Sequence, residues 1–125
     1  RRLKEAGIDV IDCSSRGLSR RGTPVVFPRA PHFQVPYAEE VRLDADIPTC
    51  TVGLVFDFEK ADAIIRSGQA DLVAIGREAL RNPNWAAQAA VALRGDEAYE
   101  SHWPARWGWW LVRRARSLAA HFRAN

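Results

Sequence analysis

Three short runs rich in Val, Ile and Leu, "IDVIDC" (8–13), "TCTVGLV" (49–55) and "ADLVAIG" (70–76), recur along the chain, with helical patterns between and after them. Little polar alternation breaks these runs beyond their first residues. That predicts strands covered on both faces, as in a parallel sheet. The opening "RRLKEA" reads as the last turn of a helix stopped at Gly7. Pro36 opens a helix through "YAEEVRLDA", with acidic residues in its first turn and Val41 and Ala45 on one face. Asp57 is a candidate cap for "FEKADAIIRSG", where Ala61, Ile64 and Ile65 make the inner stripe and Gly68 the stop. After Gly76, "REALRNPNWAAQAAVALRG" divides at Pro83 into a short turn and an alanine-rich helix closed by Gly95. Regular strand-then-helix alternation with short returns argues for parallel strands and right-handed crossovers.

Three parallel strands are too few for either common α/β architecture. A barrel needs eight strands and about 200–250 residues, and a doubly wound sheet usually needs five or six strands. The sequence has 125 residues, so the expected setting is the C-terminal part of something longer. Residues 1–95 carry the α/β pattern and residues 96–125 form a tail of different character. That tail passes from "DEAYESHW" through a tryptophan-rich knot to a basic amphipathic helix, with Leu111, Ala115, Leu118 and Phe122 on one face.

Composition narrows the class further. Apolar residues make up 47% of the sequence, a globular value, and no run of about 18 or more apolar residues occurs, so a membrane span is not expected. The net charge of +3 comes mainly from arginines dispersed along the chain, which argues against a nucleic-acid footprint. Neither nucleic acid nor a membrane is expected as a partner. Cys13 and Cys50 lack any CxxC spacing; reduced thiols in a cytoplasmic protein are the expectation, and a disulfide between neighbouring strands is the alternative. No metal-ligating pattern occurs.

The junction "AIGREAL" is the most informative short stretch. A strand ending in glycine and running into a helix offers free backbone N–H groups that suit an anion, and Arg77 adds a planar, permanently charged fork. Gly53 stands near the same end of the preceding strand, and a phosphate site of this kind is commonly built after strands seven and eight of a (β/α)8 barrel. The competing reading is a tight surface turn, with Arg77 paired to Asp57 or Glu78.

The stretches "GIDVIDCSSRGL", "FQVPYAEEVR", "IPTCTVGLV", "ADLVAIGREALRNPNWA" and "WPARWGWWL" together resemble the C-terminal part of the old yellow enzyme family, the NAD(P)H:flavin oxidoreductases, in its thermophilic-like bacterial branch. The resemblance covers nearly the whole chain. It implies an FMN-binding (β/α)8 TIM barrel, with these strands as the sixth, seventh and eighth. By position it implies that Gly76 and Arg77 hold the FMN phosphate, with Gly53 beside them. Ser14 and Ser15 fall at the end of strand six near the flavin, where a hydrogen-bonded loop start is the alternative reading. It implies NAD(P)H as reductant, an electron-poor alkene as substrate, and a homo-oligomeric full-length protein.

In related enzymes an aromatic or arginine after a Pro-x-x-aromatic element reaches a neighbouring active site. "PARWGWW" puts Trp109 or Trp110 near that position, although Arg106-Trp107 departs from the commoner Gln-Tyr. Other readings of the tail are tryptophans packing it onto the barrel and a helix at a membrane surface. The family's catalytic His pair and proton-donating Tyr correspond to nothing in this segment, so no residue here is assigned a catalytic role. His32 is read as an exposed loop histidine or as part of the substrate mouth. An inactive flavin-binding remnant and a different phosphate-binding barrel enzyme are the rival functions.

Overall fold

The computed structural model describes residues 1–14 and 30–123. They divide into two compact units, Arg1–Glu78 and Ala79–Asn125.

The first unit is built on a parallel sheet of β1 (Ile11–Cys13), β2 (Thr49–Thr51) and β3 (Leu72–Val73), in that spatial order. Ile11 lies opposite Thr49, Asp12 opposite Cys50 and Cys13 opposite Thr51; Cys50 in turn faces Leu72. The ladders are shorter than the apolar runs that contain them. Pro48 cannot donate to a ladder, but its carbonyl accepts from the Ile11 amide at 3.0 Å and so sets where pairing begins. At the other end Gly53, two residues past Thr51, adopts φ +117° and stops β2 from continuing.

The sheet is covered on one face among the described residues, not on two. Cys13, Thr49 and Thr51 are buried, whereas Asp12, Cys50 and Leu72 form an open or half-open row across the other face. That differs from the expectation of burial on both faces, and the alternation in β1 and β2 is the direct sign of it.

Helix α1 (Arg2–Glu5) precedes β1 and is stopped at Gly7, whose φ is +86°. Helix α2 (Val35–Ala45) follows the described Ala30–Gln34 loop, with Pro36 in its first turn, where a missing N–H costs no helical bond. It buries Val35 and Ala38, while Val41 and Ala45 are only half-buried. Helix α3 (Phe58–Arg66) starts where predicted: the Asp57 carboxylate accepts from the Lys60 amide at 2.8 Å. Ala61 and Ile64 are buried beneath it, but Ile65 is 39% exposed and leaves the predicted stripe.

A polar knot closes the N-terminal ends of the strands. Asp71, just before β3, accepts from Arg42 Nε at 2.9 Å, from the second guanidinium nitrogen at 3.2 Å and from the Thr49 amide at 2.9 Å. The Arg42 guanidinium and the Thr49 amide hold the Asp71 carboxyl below its ordinary value. This knot ties α2, β2 and β3 at the strand starts, so their opposite ends are free for other work.

Helix α4 (Arg77–Arg81) lies across the division between the units. The second unit consists mainly of α5 (Trp85–Arg94), α6 (Ala98–His102) and α7 (Ala105–Arg123). Pro83 separates α4 from α5 and Gly95, at φ +86°, ends α5, as the sequence predicts. Helix α6 forms within the polar "DEAYESH", where no apolar periodicity predicts a helix. Gly108 lets α7 approach α6 closely: a Cβ there would overlap the Tyr99 carbonyl oxygen and stand 3.0 Å from Glu100 Cα. The α7 face that buries is centred on Gly108 and Val112, not on the predicted stripe; Leu118 and Phe122 are 38% and 75% exposed.

Candidate functional site

The C-terminal ends of the three strands line one cavity of about 490 Å³ within the first unit. Ser14 follows β1, Gly53 and Leu54 follow β2, and Gly76 and Arg77 follow β3. Ser14, Gly53, Gly76 and Arg77 are therefore brought together. Ser15 lies outside the described residues.

Each position has a local cause. Gly53 adopts a backbone conformation that side chains rarely take, and a Cβ there would stand 2.9 Å from Phe33 Cε1. Leu54 also has positive φ, +54°, which is an outlier for a bulky residue. Gly76 differs: nothing lies within 4 Å of where its Cβ would be, so its backbone faces open space in the cavity wall. Helix α4 is a single five-residue element, so a helix dipole contributes little here. The local resources for an anion are exposed backbone and one guanidinium.

Arg77 has no ion-pair partner among the described residues, whereas Arg42, Arg66 and Arg116 are paired with Asp71, Asp62 and Glu97. The alternative pairing of Arg77 with Asp57 or Glu78 is not formed. Asp57 is occupied with capping α3. A charge-bearing fork that lines a cavity and holds no carboxylate is suited to an exogenous anion.

The two thiols are free, and Cys13 is buried. Burial, then Asp12 and Cys50, push the Cys13 thiol up; burial, then Asp12, push Cys50 up. Both stay protonated at neutral pH, a poor state for nucleophilic or redox work. Among the described residues no cluster could hold a metal ion.

His32 is half-buried. Its Nε2 is buried without a hydrogen-bond partner, and burial followed by Lys60 lowers its pKa. Its ring lies 6.3 Å from that of Phe56, which lines the cavity.

Trp109 and Trp110 belong to the second unit, on α7, and are 54% and 63% exposed. Their rings are 5.7 Å apart, and Arg113 sits 4.9 Å over Trp109. Trp110 helps line a separate groove of about 750 Å³ with Trp103, Trp107 and Leu118. No described helix is long and apolar enough to cross a membrane.

The sequence pattern did not single out Phe33, Gln34 and Leu54 as cavity residues, yet all three line it. "FQVPYAE" stood out only through its resemblance; its place beside Gly53 is a long-range contact that periodicity cannot report.

A profile of the NADH:flavin oxidoreductase / NADH oxidase family matches residues 1–95. The chain belongs to that family. This is the old yellow enzyme family of the resemblance, and its named relatives agree. The NADPH dehydrogenase of Geobacillus thermodenitrificans is 40% identical over 107 residues, which covers 82% of this chain and 30% of that protein. The NADPH dehydrogenase of Bacillus subtilis is 41% identical over 105 residues, covering 81% of this chain and 30% of that protein. That of Halalkalibacterium halodurans is 40% identical over the same length. This NADH:flavin oxidoreductase family member thus spans about 30% of the length of the relatives it matches.

Proposed function

We propose that this chain supplies the phosphate anchor of an FMN-dependent NAD(P)H oxidoreductase of the ene-reductase type. In this reading residues 1–95 are the last three β/α units of a (β/α)8 barrel and residues 96–125 a C-terminal tail. The observation that carries it is the convergence on one cavity, at the C-terminal strand ends, of Gly53, Gly76 and Arg77, whose guanidinium has no ion-pair partner among the described residues; that is the face on which such barrels build their sites.

The residues fit a phosphate. The open space at Gly76 admits an oxygen close to the backbone, and Arg77 offers two parallel N–H donors to a phosphate edge. Ser14 contributes a hydroxyl at the rim. The open row of Asp12, Cys50 and Leu72 would face the barrel interior. When bound, FMN supplies hydride transfer between NAD(P)H and an electron-poor alkene. This segment's own residues bind and orient; none takes a catalytic role. Trp109 or Trp110, exposed on α7, would serve as a substrate-side or neighbouring-subunit contact in a cytoplasmic homo-oligomer.

The test compares FMN with riboflavin, which lacks the phosphate, in the native full-length protein after flavin removal. Loss of a charge-assisted contact of about 1.5–3 kcal/mol predicts that Arg77→Ala weakens FMN binding by roughly ten- to a hundredfold and leaves riboflavin binding unchanged. An unchanged preference for FMN over riboflavin would remove Arg77 from the phosphate site.

A further inference from the structure

The turn after β2 is not stable on local grounds. Gly53 at φ +117° is followed by Leu54 at φ +54°, two successive residues in the left-handed half of backbone space. Something outside the turn must hold it, and the contacts identify the segment before α2. The His32 amide donates to the Gly53 carbonyl at 3.0 Å. Phe33 Cε1 and Cδ1 come within 2.9 and 3.2 Å of where a Gly53 Cβ would stand, and Gln34 Cγ within 3.2 Å. That segment is itself anchored, since Gln34 is 3% exposed, Val35 4% and Ala38 fully buried.

The hydrogen bond has a directional consequence. A trans peptide points its C=O and the next N–H in opposite directions. With the Gly53 carbonyl turned to His32, the Leu54 N–H is turned away from the loop. Leu54 lines the cavity, and its amide donates to no acceptor among the described residues. The "FQVP" segment therefore fixes both the shape of the turn and the direction of a free donor.

We propose that Phe33 is a positioning residue, whose ring wedges the Gly53–Leu54 turn into the conformation that presents its backbone to the ligand's phosphate. This rests on the phosphate reading above. It goes further in assigning a role to a residue that need not touch the phosphate at all. A ring that served only as an apolar wall would favour FMN and riboflavin equally. A ring that presets the turn would favour the phosphorylated ligand alone.

The experiment measures dissociation constants for FMN and riboflavin in the flavin-stripped full-length protein and its Phe33 variants. Phe33→Ala is expected to weaken FMN binding by about tenfold, the scale of one lost hydrogen bond to a charged group, with riboflavin unchanged. Phe33→Tyr, which keeps the ring, restores the preference for FMN. Equal weakening of both ligands, or no change in either, overturns the proposal. If Phe33→Ala does not fold, Phe33→Leu is read by the same ratio. Arg77→Ala is the separate control: an unchanged FMN preference there sinks the phosphate reading itself, whatever Phe33 does.

Discussion

Substitution of Gly108 by alanine sets two effects of opposite sign against each other, and the structure decides between them. In an exposed helix interior the change would stabilise by about 1 kcal/mol, because glycine has more backbone freedom to lose. At Gly108 the new methyl would overlap the Tyr99 carbonyl oxygen and crowd Glu100 Cα. Overpacking costs about 1–3 kcal/mol, and the upper half applies here because a backbone carbonyl cannot rotate aside as a side chain can. The net expectation is a destabilisation of about 1–2 kcal/mol. Urea unfolding followed by tryptophan fluorescence suits the measurement, since Trp103, Trp107, Trp109 and Trp110 all lie near this crossing in sequence. With a slope of about 1–3 kcal/mol per molar, a loss of about 1.5 kcal/mol lowers the midpoint by roughly 0.5–1.5 M. Ser117→Ala, on an exposed position of the same helix, should stay within about 0.5 kcal/mol of the parent. A Gly108→Ala midpoint that rises would mean that α6 and α7 do not approach so closely, and the argument would be wrong.

Two further predictions concern protons. The Asp71 carboxyl titrates below its unfolded value because Arg42 and the Thr49 amide hold its charged form, so its contribution is present above about pH 4 and is lost as pH falls through the folded value. Asp71→Asn should be less stable at neutral pH and should lose less on acidification; an acid profile identical to the parent's would contradict the knot. The thiols of Cys13 and Cys50, pushed up by burial and Asp12, should react with iodoacetamide more slowly than a free thiol at neutral pH. Alkylation as fast as that of an unstructured cysteine peptide would count against this.

Much of the layout was legible in the sequence wherever a signal is local. Asp57 before "FEK" caps α3 because a cap needs only its own next few residues, and Gly7, Gly68 and Gly95 mark stops through their own φ values of +86°, +75° and +86°. The gathering of Gly53 and Gly76 was legible too, since successive parallel strands place their C-terminal ends side by side. What escaped was decided by partners distant in sequence. Leu118 and Phe122 have the right spacing for a buried stripe, yet α7 packs where Gly108 allows close approach. Strand ends were overestimated because an apolar run reports burial, whereas a ladder also needs a paired neighbour with extended backbone, which Gly53 denies to β2. Phe33 is a loop aromatic with no periodicity around it, and its importance lies in a glycine twenty residues further on.

The Asp71–Arg42–Thr49 knot sits at the starts of β2 and β3, and the cavity lies at the opposite ends of those strands. Changes at one end share no described contact with changes at the other, so their energetic effects should add rather than couple. Such an arrangement makes the segment tolerant of innovation. Loops at the strand ends can vary in length and chemistry while the fastening at the strand starts keeps the scaffold in register, and a stabilising change near Asp71 widens the range of loop sequences the fold will accept.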